Sequence, residues 1–357
     1  MKRILCLIGQ LRGGGTERQL YLFLKHLNKT KYEPGVVVSG DPEGKWYKPI
    51  IDCGIPVYSL GRIGFLRKSL KLRTIISEYQ PALVFSWSFF TNAYKYLCPD
   101  IAFIGSLRGD LNSARRNPGK FLWNLCLSPS NFVVNSEHLK KQLIVCGISE
   151  HKIHLIENIF DPDTILKDNE DRERIRKRYN IPENAKVIIG SGRNTYEKNL
   201  NLFIEVFVEL KTKSDGWYAF LIGNCAESLR PRIEELGLQE KLFLPGEVEN
   251  PFEFYRASDV FFLSSRTEGM PNVVLEALHC GCKVVAMDVG GINDIKADNP
   301  LAQIKILKQN ENKSKIAEEI LLLLNTQKND SCKFDIKFYS PENIMKKYTK
   351  LLDSCKR

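Results

Sequence analysis

The amino-acid sequence predicts an α/β protein made of two doubly wound domains, each with a parallel sheet covered by helices on both faces. The chain has 357 residues, which at about 150 residues per domain corresponds to two domains. Short and largely apolar runs, typical of strands buried on both faces, alternate with amphipathic stretches of helical period. The alternation stops near the middle of the chain and then begins again, which indicates two separate sheets.

The first series of elements precedes residue 160. Its predicted strands are the runs "RILCLIG", "PGVVVSG", "ALVFSWS", "IAFIGSL" and "NFVVNS". Between these strands, "TERQLYLFLKHLN" and "SLKLRTIISEYQ" place apolar residues at helical spacing. Such spacing predicts helices that each lay one apolar face on the sheet.

The second series has the same rhythm. Its predicted strands are "KVIIGSG", "WYAFLIG", "KLFLPG", "DVFFLSS" and "KVVAMDVG", and its helices include "NLNLFIEVFVELK" and "ESLRPRIEELG". The boundary falls in "ENIFDPDTILKDNEDRERIR", where apolar strands give way to acids, a proline and alternating charges. We therefore expect a first domain over residues 1–163 and a second over residues 164–340.

Composition narrows the class of protein. The ten cysteines include no CxxC pair, which favours reduced thiols in a cytosolic chain over a disulfide framework or a zinc site. The apolar run at the amino terminus is too short for a signal peptide. No segment approaches the roughly 20 apolar residues that a membrane span needs. We expect a soluble or peripheral protein.

The stretch "TEGMPNVVLEALHCG" follows a predicted strand, and ligands of open α/β sheets bind where strands end and helices begin. Pro271 fits the first turn of a helix. The N–H groups of residues 269–273 and the positive end of the helix dipole suit a phosphate. Glu276, farther along the helix, can accept hydrogen bonds from a vicinal diol such as a ribose, while Glu268 precedes the helix. Alternatively, Glu268 only caps the helix and Glu276 is a solvated acid.

A second strand-to-helix loop in the same domain carries two cations. In "IIGSGRNTYEKNLNLFIEVF", Arg193 and Lys198 stand at a helix entrance, where two positive charges suit a diphosphate leaving group. The alternative is an ordinary solvated basic pair.

The segments "SGRNTYEKN", "FLPGEVEN", "YRASDVFFLSSRTEGMPNVVLEALHCGCKVVAMDVGG" and, near the start, "GGGTERQL" resemble glycosyltransferase family 4. That large family has the GT-B fold, retains anomeric configuration and uses nucleotide sugars. The resemblance implies two Rossmann-like domains facing across a cleft. It also implies a carboxyl-terminal helix, residues 341–357, that crosses back to the first domain.

The resemblance assigns roles to individual residues. It implies that Glu268, Arg193 and Lys198 are catalytic, with Glu268 near the donor sugar and the two cations on the diphosphate. It implies that Glu276 binds the ribose and that Val248 lies beside the base. The complete donor-binding set is Gly14, Gly15, Arg193, Lys198, Val248, Gly269, Met270, Asn272, Val273 and Glu276.

The first domain departs from the family at one position. Gly14, Gly15 and Glu17 lie in the loop that closes over donor and acceptor in this family. Many relatives also carry a histidine at the carboxyl end of a middle strand, but this chain has no histidine between residues 27 and 137. The candidates to contact the sugar or the acceptor in place of that histidine are Trp87, Asn92, Arg108 and Asp110. Arg108 either binds the donor or an anionic acceptor, or pairs structurally with Asp110.

The chemistry needs no cofactor if cations and helix amides stabilise the departing diphosphate. We therefore expect no metal and no cofactor beyond the nucleotide sugar. The only DxD string, Asp161-Pro162-Asp163, lies in the interdomain segment, and we interpret it as a turn.

The net positive charge of the chain comes entirely from the first domain. Residues 1–160 carry 22 Lys and Arg against 11 Asp and Glu, whereas the remainder carries 30 against 31. In "GRIGFLRKSLKLRTII" and "SARRNPGKFLWNLC" the cations are interleaved with Phe65, Leu66, Leu70, Leu72, Phe121 and Trp123. Such a surface suits an anionic membrane, although solvated helices are the alternative, and no nucleic-acid motif is present. We expect a cytoplasmic protein, peripheral at the inner face of the membrane.

Two functions from different classes remain open. The first is a retaining transferase that moves a sugar from a UDP- or GDP-sugar to a glycan or lipid-linked acceptor in surface polysaccharide, lipopolysaccharide or O-antigen biosynthesis. The second is a catalytically inactive, nucleotide-sugar-binding regulatory protein, supported only by the missing histidine. A sugar-nucleotide epimerase shares the fold but not these motifs.

Overall fold

A computed structural model describes residues 1–114, 119–165, 168, 170–326 and 334–355. The chain divides into two compact units. The first unit comprises Met1–Asp161 together with Lys337–Arg357, and the second comprises Pro162–Ile336. Strands and helices are numbered below along the chain.

The first unit contains a seven-stranded, all-parallel sheet in the order β3-β2-β1-β4-β5-β6-β7. Its strands are β1 (Lys2–Ile8), β2 (Tyr32–Val38), β3 (Val57–Ser59), β4 (Leu83–Ser86), β5 (Ala102–Leu107), β6 (Asn131–Val134) and β7 (Ile153–Leu155). Its α-helices are α1 (Gly15–His26), α2 (Tyr47–Asp52), α3 (Phe65–Tyr79), α4 (Leu111–Ala114), α5 (Lys120–Cys126), α6 (Glu137–Val145) and, from the end of the chain, α14 (Pro341–Ser354). A 3₁₀ segment, Phe89–Leu97, follows β4.

The second unit contains a six-stranded, all-parallel sheet in the order β10-β9-β8-β11-β12-β13. Its strands are β8 (Lys186–Ser191), β9 (Trp217–Ile222), β10 (Leu242–Gly246), β11 (Val260–Leu263), β12 (Lys283–Met287) and β13 (Ile304–Leu307). Its α-helices are α7 (Asp171–Arg178), α8 (Leu200–Lys213), α9 (Ala226–Glu235), α10 (Pro251–Arg256), α11 (Asn272–His279), α12 (Ile292–Asp298) and α13 (Lys313–Asn325).

Strand β1 illustrates why apolar runs form these sheets. Its alternate residues Ile4, Cys6 and Ile8 pack into one hydrophobic cluster with residues of α1 and α14. Leu5 and Leu7, which point to the opposite face, pack into a second cluster with residues of α3. Because both faces are covered, every position of a central strand must be apolar, and the continuous apolar run follows.

The ten strands predicted from sequence are all present, and three strands were missed. The missed strands are β3, β7 and β13, with three, three and four residues. Each of them lies at the edge of its sheet. Edge strands are short and need little apolar surface, so they leave a weak pattern in the sequence.

In both sheets, the direction in which successive strands are added across the sheet reverses at one point. In the first unit the chain starts at β1 and proceeds outward to β3, then returns to add β4 on the other side of β1. The second unit does the same around β8 and β11. The carboxyl ends of such adjacent strands flank the crevice where doubly wound sheets bind ligands, so these two places are the first to search for a site.

Candidate functional site

In the second unit, the crevice between β8 and β11 is bordered by two loops, residues 192–199 and 264–271. The strands pair in parallel, so both loops emerge from the same edge of the sheet. The sequence-predicted residues Arg193, Lys198 and Glu268 lie on these two loops. Strand pairing therefore brings together residues that are 70 or more positions apart in the chain.

Lys198 and Glu268 form an ion pair at the centre of this site. The Lys198 Nζ lies 2.7 Å from the Glu268 Oε1, and the two side chains are 25% and 12% exposed. The Ser265 hydroxyl donates a second hydrogen bond of 2.7 Å to the same oxygen. The Glu268 carboxylate is therefore bound by the Lys198 ammonium group and by the Ser265 hydroxyl. In this structure the positive charge of Lys198 is paired with a carboxylate of the protein itself.

Further contacts fix the two loops to each other. The Ser264 hydroxyl donates to the Lys198 carbonyl (3.0 Å), and the Arg266 amide donates to the Glu197 carbonyl (2.7 Å). From the loop that follows β12, the Gly291 amide donates to the Gly269 carbonyl (2.7 Å). At Gly290, a Cβ atom would lie 2.4 Å from the Glu268 carbonyl oxygen, and φ is +49°. Only glycine permits this close approach in that backbone conformation.

The start of helix α11 presents backbone N–H groups of the kind that bind a phosphate. The helix begins at Asn272, and Pro271 occupies the preceding N-cap position rather than the predicted first turn. The backbone N–H groups at the start of any helix lack intrahelical acceptors and carry the positive end of its dipole. Gly269, Met270, Asn272 and Val273 all lie at this start, with Gly269 and Met270 buried.

Glu276 is buried, being 4% exposed, so the alternative of a solvated surface acid is wrong. Burial raises the pKa of Tyr255 well above its usual value, and the negative charge of Glu276 adds a smaller increase. A buried carboxylate in the helix that borders the crevice is chemically suited to accept hydrogen bonds from hydroxyl groups.

Arg193 and Val248 lie nearer the surface. Arg193 is exposed and forms no side-chain ion pair among the residues that the structure describes. Val248, which follows β10, is half-buried. The Gly223 amide donates 2.7 Å to the Gly246 carbonyl, so the loops after β9 and β10 meet at the same edge of the sheet as the Lys198–Glu268 pair.

In the first unit, Gly14 and Gly15 mark the start of α1. Gly14 is the N-cap and Gly15 is the first helical residue. Glu17 is buried, and its carboxylate folds back so far that a Cβ atom on Gly14 would overlap it. The Gly9 amide donates to the Ser88 hydroxyl (3.2 Å), which joins the carboxyl ends of β1 and β4 at this unit's crevice.

The structure corrects the interpretation of two candidates from the first unit. The Trp87 ring is fully buried and packs against Phe23, Phe85 and Tyr348. Asn92 is also fully buried, with its amide donating to the Ser106 carbonyl (3.1 Å) and accepting from the Ser106 amide (3.0 Å). Both side chains are fully buried, so neither presents a surface to a ligand in this structure.

Arg108 and Asp110 do not pair with each other. The Arg108 guanidinium stacks on Trp87, whereas Asp110 accepts from the Gln142 amide (2.6 Å) and lies 3.3 Å from the His138 Nε2. Burial alone would raise the pKa of Asp110, but hydrogen bonds from His138, Gln142 and the Ser113 amide outweigh it and lower the pKa.

His138 is a residue that sequence reasoning missed. It lies in the first turn of α6, after β6, and its side chain is 44% exposed. It stands just outside residues 27–137, the range in which the resemblance places the histidine of the middle strand. Because β5 and β6 are adjacent in the sheet, His138 lies beside Asp110, which follows β5, with 3.3 Å between the His138 Nε2 and the Asp110 carboxylate.

The described residues contain no cluster of three or more His, Cys, Asp or Glu side chains arranged to hold a metal ion. Asp161 of the DxD string is buried and paired with Lys25 (2.7 Å) and His26 (2.8 Å). Pro162–Thr164 form a short 3₁₀ turn.

Comparisons with known proteins agree with this geometry. The family model described as "Glycosyltransferase Family 4" matches residues 13–164, and the model described as "Glycosyl transferases group 1" matches residues 171–339. The two matches together span nearly the whole chain. The protein belongs to glycosyltransferase family 4.

Two curated relatives of this chain have names that refer to glycan assembly. The lipopolysaccharide core mannosyltransferase LpsB of Rhizobium meliloti is 28% identical over 150 residues, which is 38% of this chain and 43% of LpsB. The Campylobacter jejuni N-acetylgalactosamine-N,N'-diacetylbacillosaminyl-diphospho-undecaprenol 4-alpha-N-acetylgalactosaminyltransferase is 28% identical over 214 residues, or 58% of this chain and 55% of the relative. The chain spans between a third and about half of the length of the first curated relatives it matches.

Among solved structures, Anabaena HepE in complex with UDP-glucose superposes with a TM-score of 0.83 at 18% identity, covering 99% of this chain and 100% of HepE. Similarity at this level of identity concerns the fold, which is GT-B with two parallel sheets of seven and six strands. Every helix of the described residues is too short or too polar to cross a membrane.

Proposed function

We propose that this family 4 glycosyltransferase moves a sugar from a UDP- or GDP-sugar to a hydroxyl group of a glycan or lipid-linked acceptor. The observation that carries the proposal is the Lys198–Glu268 pair at the crevice of the second sheet, beside the start of α11 and the buried Glu276. This set offers a cation, helix amides and two carboxylates. Those are the groups needed to bind a diphosphate, a ribose and a sugar.

The proposed mechanism follows from charge. Cleavage of the sugar–phosphate bond builds positive charge at the anomeric carbon and negative charge on the departing diphosphate. Lys198, Arg193 and the amides at the start of α11 stabilise the diphosphate, and preorganised donors are most effective where charge develops. Glu268, released from Lys198, faces the sugar. Family membership supports retention of configuration, with the acceptor hydroxyl attacking from the face that the diphosphate leaves and passing its proton to an oxygen of the departing diphosphate.

The same residues support a reaction without a metal. Lys198 and Arg193 provide the positive charge that a divalent cation supplies elsewhere. We expect turnover to be the same after extensive dialysis against EDTA and after addition of magnesium or manganese. A strict requirement for either metal would contradict this part of the proposal.

The biological role is proposed from the relatives. LpsB is named for lipopolysaccharide core synthesis, and the Campylobacter enzyme is named for a diphospho-undecaprenol substrate. We propose a role in surface polysaccharide, lipopolysaccharide or O-antigen biosynthesis, in the cytoplasm at the inner face of the membrane. Transfer assays with UDP- and GDP-sugars on lipid-linked and free glycans test it. Binding without turnover for every donor would favour the inactive regulatory protein instead.

An exposed aromatic and basic surface in the first unit supports membrane attachment. Phe65, Leu66 and Leu70 are 48%, 75% and 57% exposed at the start of α3, and Phe121 on α5 is 76% exposed. The Phe65 ring contacts Tyr94 and Tyr96 of the 3₁₀ segment, while Phe89 of that segment contacts Trp123 of α5. The three elements therefore adjoin. Leu72, which was also predicted to belong to this surface, is instead fully buried in the core. Arg115 and Arg116 lie outside the described residues.

Vesicle sedimentation tests this attachment. Each cation near an anionic surface contributes about 1 kcal/mol, so changing Arg67, Lys68 and Lys71 to Glu should release the protein from anionic vesicles. The matched control changes three exposed cations of the second unit, Lys177, Arg178 and Lys186, to Glu. Equal sedimentation with neutral and anionic vesicles, or equal release by both triple variants, would contradict a membrane surface on the first unit.

A further inference from the structure

Arg108 occupies a distinctive position in the first unit. It directly follows β5, and its guanidinium carbon lies 4.2 Å from the centre of the Trp87 ring, which follows the adjacent strand β4. Its Nη2 donates a 2.6 Å hydrogen bond to the hydroxyl of Tyr348 on α14. An aromatic face and a neutral phenol thus hold the guanidinium, and neither of them cancels its charge.

No carboxylate among the described residues lies within ion-pair distance of Arg108. Asp110, the closest acid in sequence, is turned to Gln142, to His138 and to the Ser113 amide. Arginines that serve the structure of the second unit behave differently: Arg172, Arg174, Arg176 and Arg256 each pair with an aspartate. Arg108 therefore differs from these four arginines, each of which has a carboxylate partner.

Two donors of the same guanidinium lack acceptors. The Nε and Nη1 atoms of Arg108 are buried and have no hydrogen-bond partner among the described residues. Leaving charged N–H groups without an acceptor is unfavourable, and an anionic oxygen relieves that cost most effectively. Because both atoms are covered, the side chain must move off the Trp87 ring to meet a ligand.

We infer that Arg108 binds an anionic group, a carboxylate or a phosphate, on the acceptor substrate. This inference rests on the proposed function. It deepens that function by giving the class of acceptor as acidic: a uronic-acid-type sugar or a phosphate-bearing glycan or lipid. Arginine suits both groups because its planar guanidinium can donate two parallel hydrogen bonds to them. The second unit already offers Lys198 and Arg193 for the donor diphosphate, which leaves Arg108 for an anion that is not part of the donor.

The first experiment needs no turnover. The Nε–H signals of ¹⁵N-arginine-labelled protein are followed by NMR while sodium phosphate or sodium acetate is added at constant ionic strength, with the Arg108 signal assigned by Arg108→Lys. We expect the Arg108 signal to shift saturably with either anion. The signal of Arg178, which lies over the Tyr179 ring at 5.7 Å, serves as control and should not shift. An Arg108 signal that neither anion moves would overturn the inference.

The second experiment separates the acceptor from the donor. Arg108→Gln should leave the dissociation constants of UDP and GDP within about twofold of wild type. It should raise KM for an acidic acceptor about tenfold with a smaller change in kcat, the size expected for one charge-assisted hydrogen bond. Arg178→Gln should change neither quantity. A loss of UDP or GDP affinity as large as the loss for the acceptor would assign Arg108 to the donor and overturn the inference.

The outcomes also separate this inference from the proposed function. A saturable Arg108 shift without turnover on any donor would refute the transferase and leave the anion site in place. Efficient transfer to neutral acceptors only, unaffected by Arg108→Gln, would support the transferase and refute the acidic acceptor. Two matched acceptor pairs distinguish a carboxylate from a phosphate. A glucuronide is compared with the corresponding glucoside, and a sugar phosphate is compared with the corresponding methyl glycoside.

Discussion

The Lys198–Glu268 ion pair predicts that two substitutions at one contact change nucleotide affinity in opposite directions. In the structure the Glu268 carboxylate is paired with Lys198, the cation that we assign to the diphosphate. Glu268→Gln removes the competing charge, and the Gln amide oxygen can still accept from the Ser265 hydroxyl. Nucleoside diphosphate should therefore bind more tightly. Lys198→Met removes the cation itself, so the nucleotide should bind more weakly.

The size of each effect follows from burial. A hydrogen bond between charged groups contributes about 1.5–3 kcal/mol, and the Lys198 side chain is 25% exposed, so solvent screens part of it. Freeing Lys198 should gain roughly 0.7–1.4 kcal/mol, or about three- to tenfold in affinity. Losing Lys198 should cost roughly 1.4–3 kcal/mol, or at least about tenfold. Both variants should turn over more slowly, since Glu268 is assigned to the sugar and Lys198 to the leaving group.

Isothermal titration calorimetry with UDP and GDP measures these affinities, and transfer assays measure the rates. A second ion pair supplies the control. Lys213 lies 2.8 Å from Glu318, and its side chain is 27% exposed, nearly the same as that of Lys198. Lys213→Met should change neither affinity nor rate. The reasoning is refuted if Lys198→Met binds both nucleotides as wild type does, or if Glu268→Gln weakens binding as Lys198→Met does.

Three further predictions concern single side chains. Glu276→Gln should raise the dissociation constant for UDP or GDP about tenfold by calorimetry, and unchanged affinity would exclude the ribose role. Asn92→Ala removes two buried hydrogen bonds to Ser106, each worth about 1–3 kcal/mol when the partner is left unpaired. It should lower the urea midpoint but not the activity per folded molecule, and lost activity at full stability would indicate a ligand contact instead. Burial would raise the pKa of Asp161, but bonds from Lys25 and His26 hold it below its usual value. Its stabilising effect should therefore be complete above about pH 4 and disappear as pH falls further. Thermal unfolding of Asp161→Asn should thus differ from wild type at neutral pH and converge with it in acid, whereas a constant difference would contradict the ion pair.

Central strands and long helices could be predicted from sequence because their burial is complete. The continuous apolar run of β1 exists because both faces of the sheet are covered. The edge strands β3, β7 and β13 lack this constraint and leave no comparable pattern. Helix α11 could be located from its proline and glycine, but Pro271, predicted to lie in the first turn, is the N-cap, and the helix begins at Asn272.

For the site, sequence could indicate residue types and loops but not partners. Two loops at strand ends were enough to nominate Lys198 and Glu268, yet nothing in their spacing predicts that they bond each other. Trp87 and Asn92 follow β4 as a ligand-binding residue would, and only the structure reveals that both are fully buried. His138 was missed because its link to Asp110 depends on the adjacency of β5 and β6, which is a property of the sheet.

Sugar transfer itself tests the central claim most directly. Purified protein is incubated with a panel of UDP- and GDP-sugars and with matched acidic and neutral acceptors, and proton NMR follows the anomeric signals of donor and product. We predict transfer from at least one donor, with the product in the same anomeric configuration as the donor. A product of opposite configuration would contradict the retaining mechanism, and nucleotide binding without transfer from any donor would contradict the proposed enzyme.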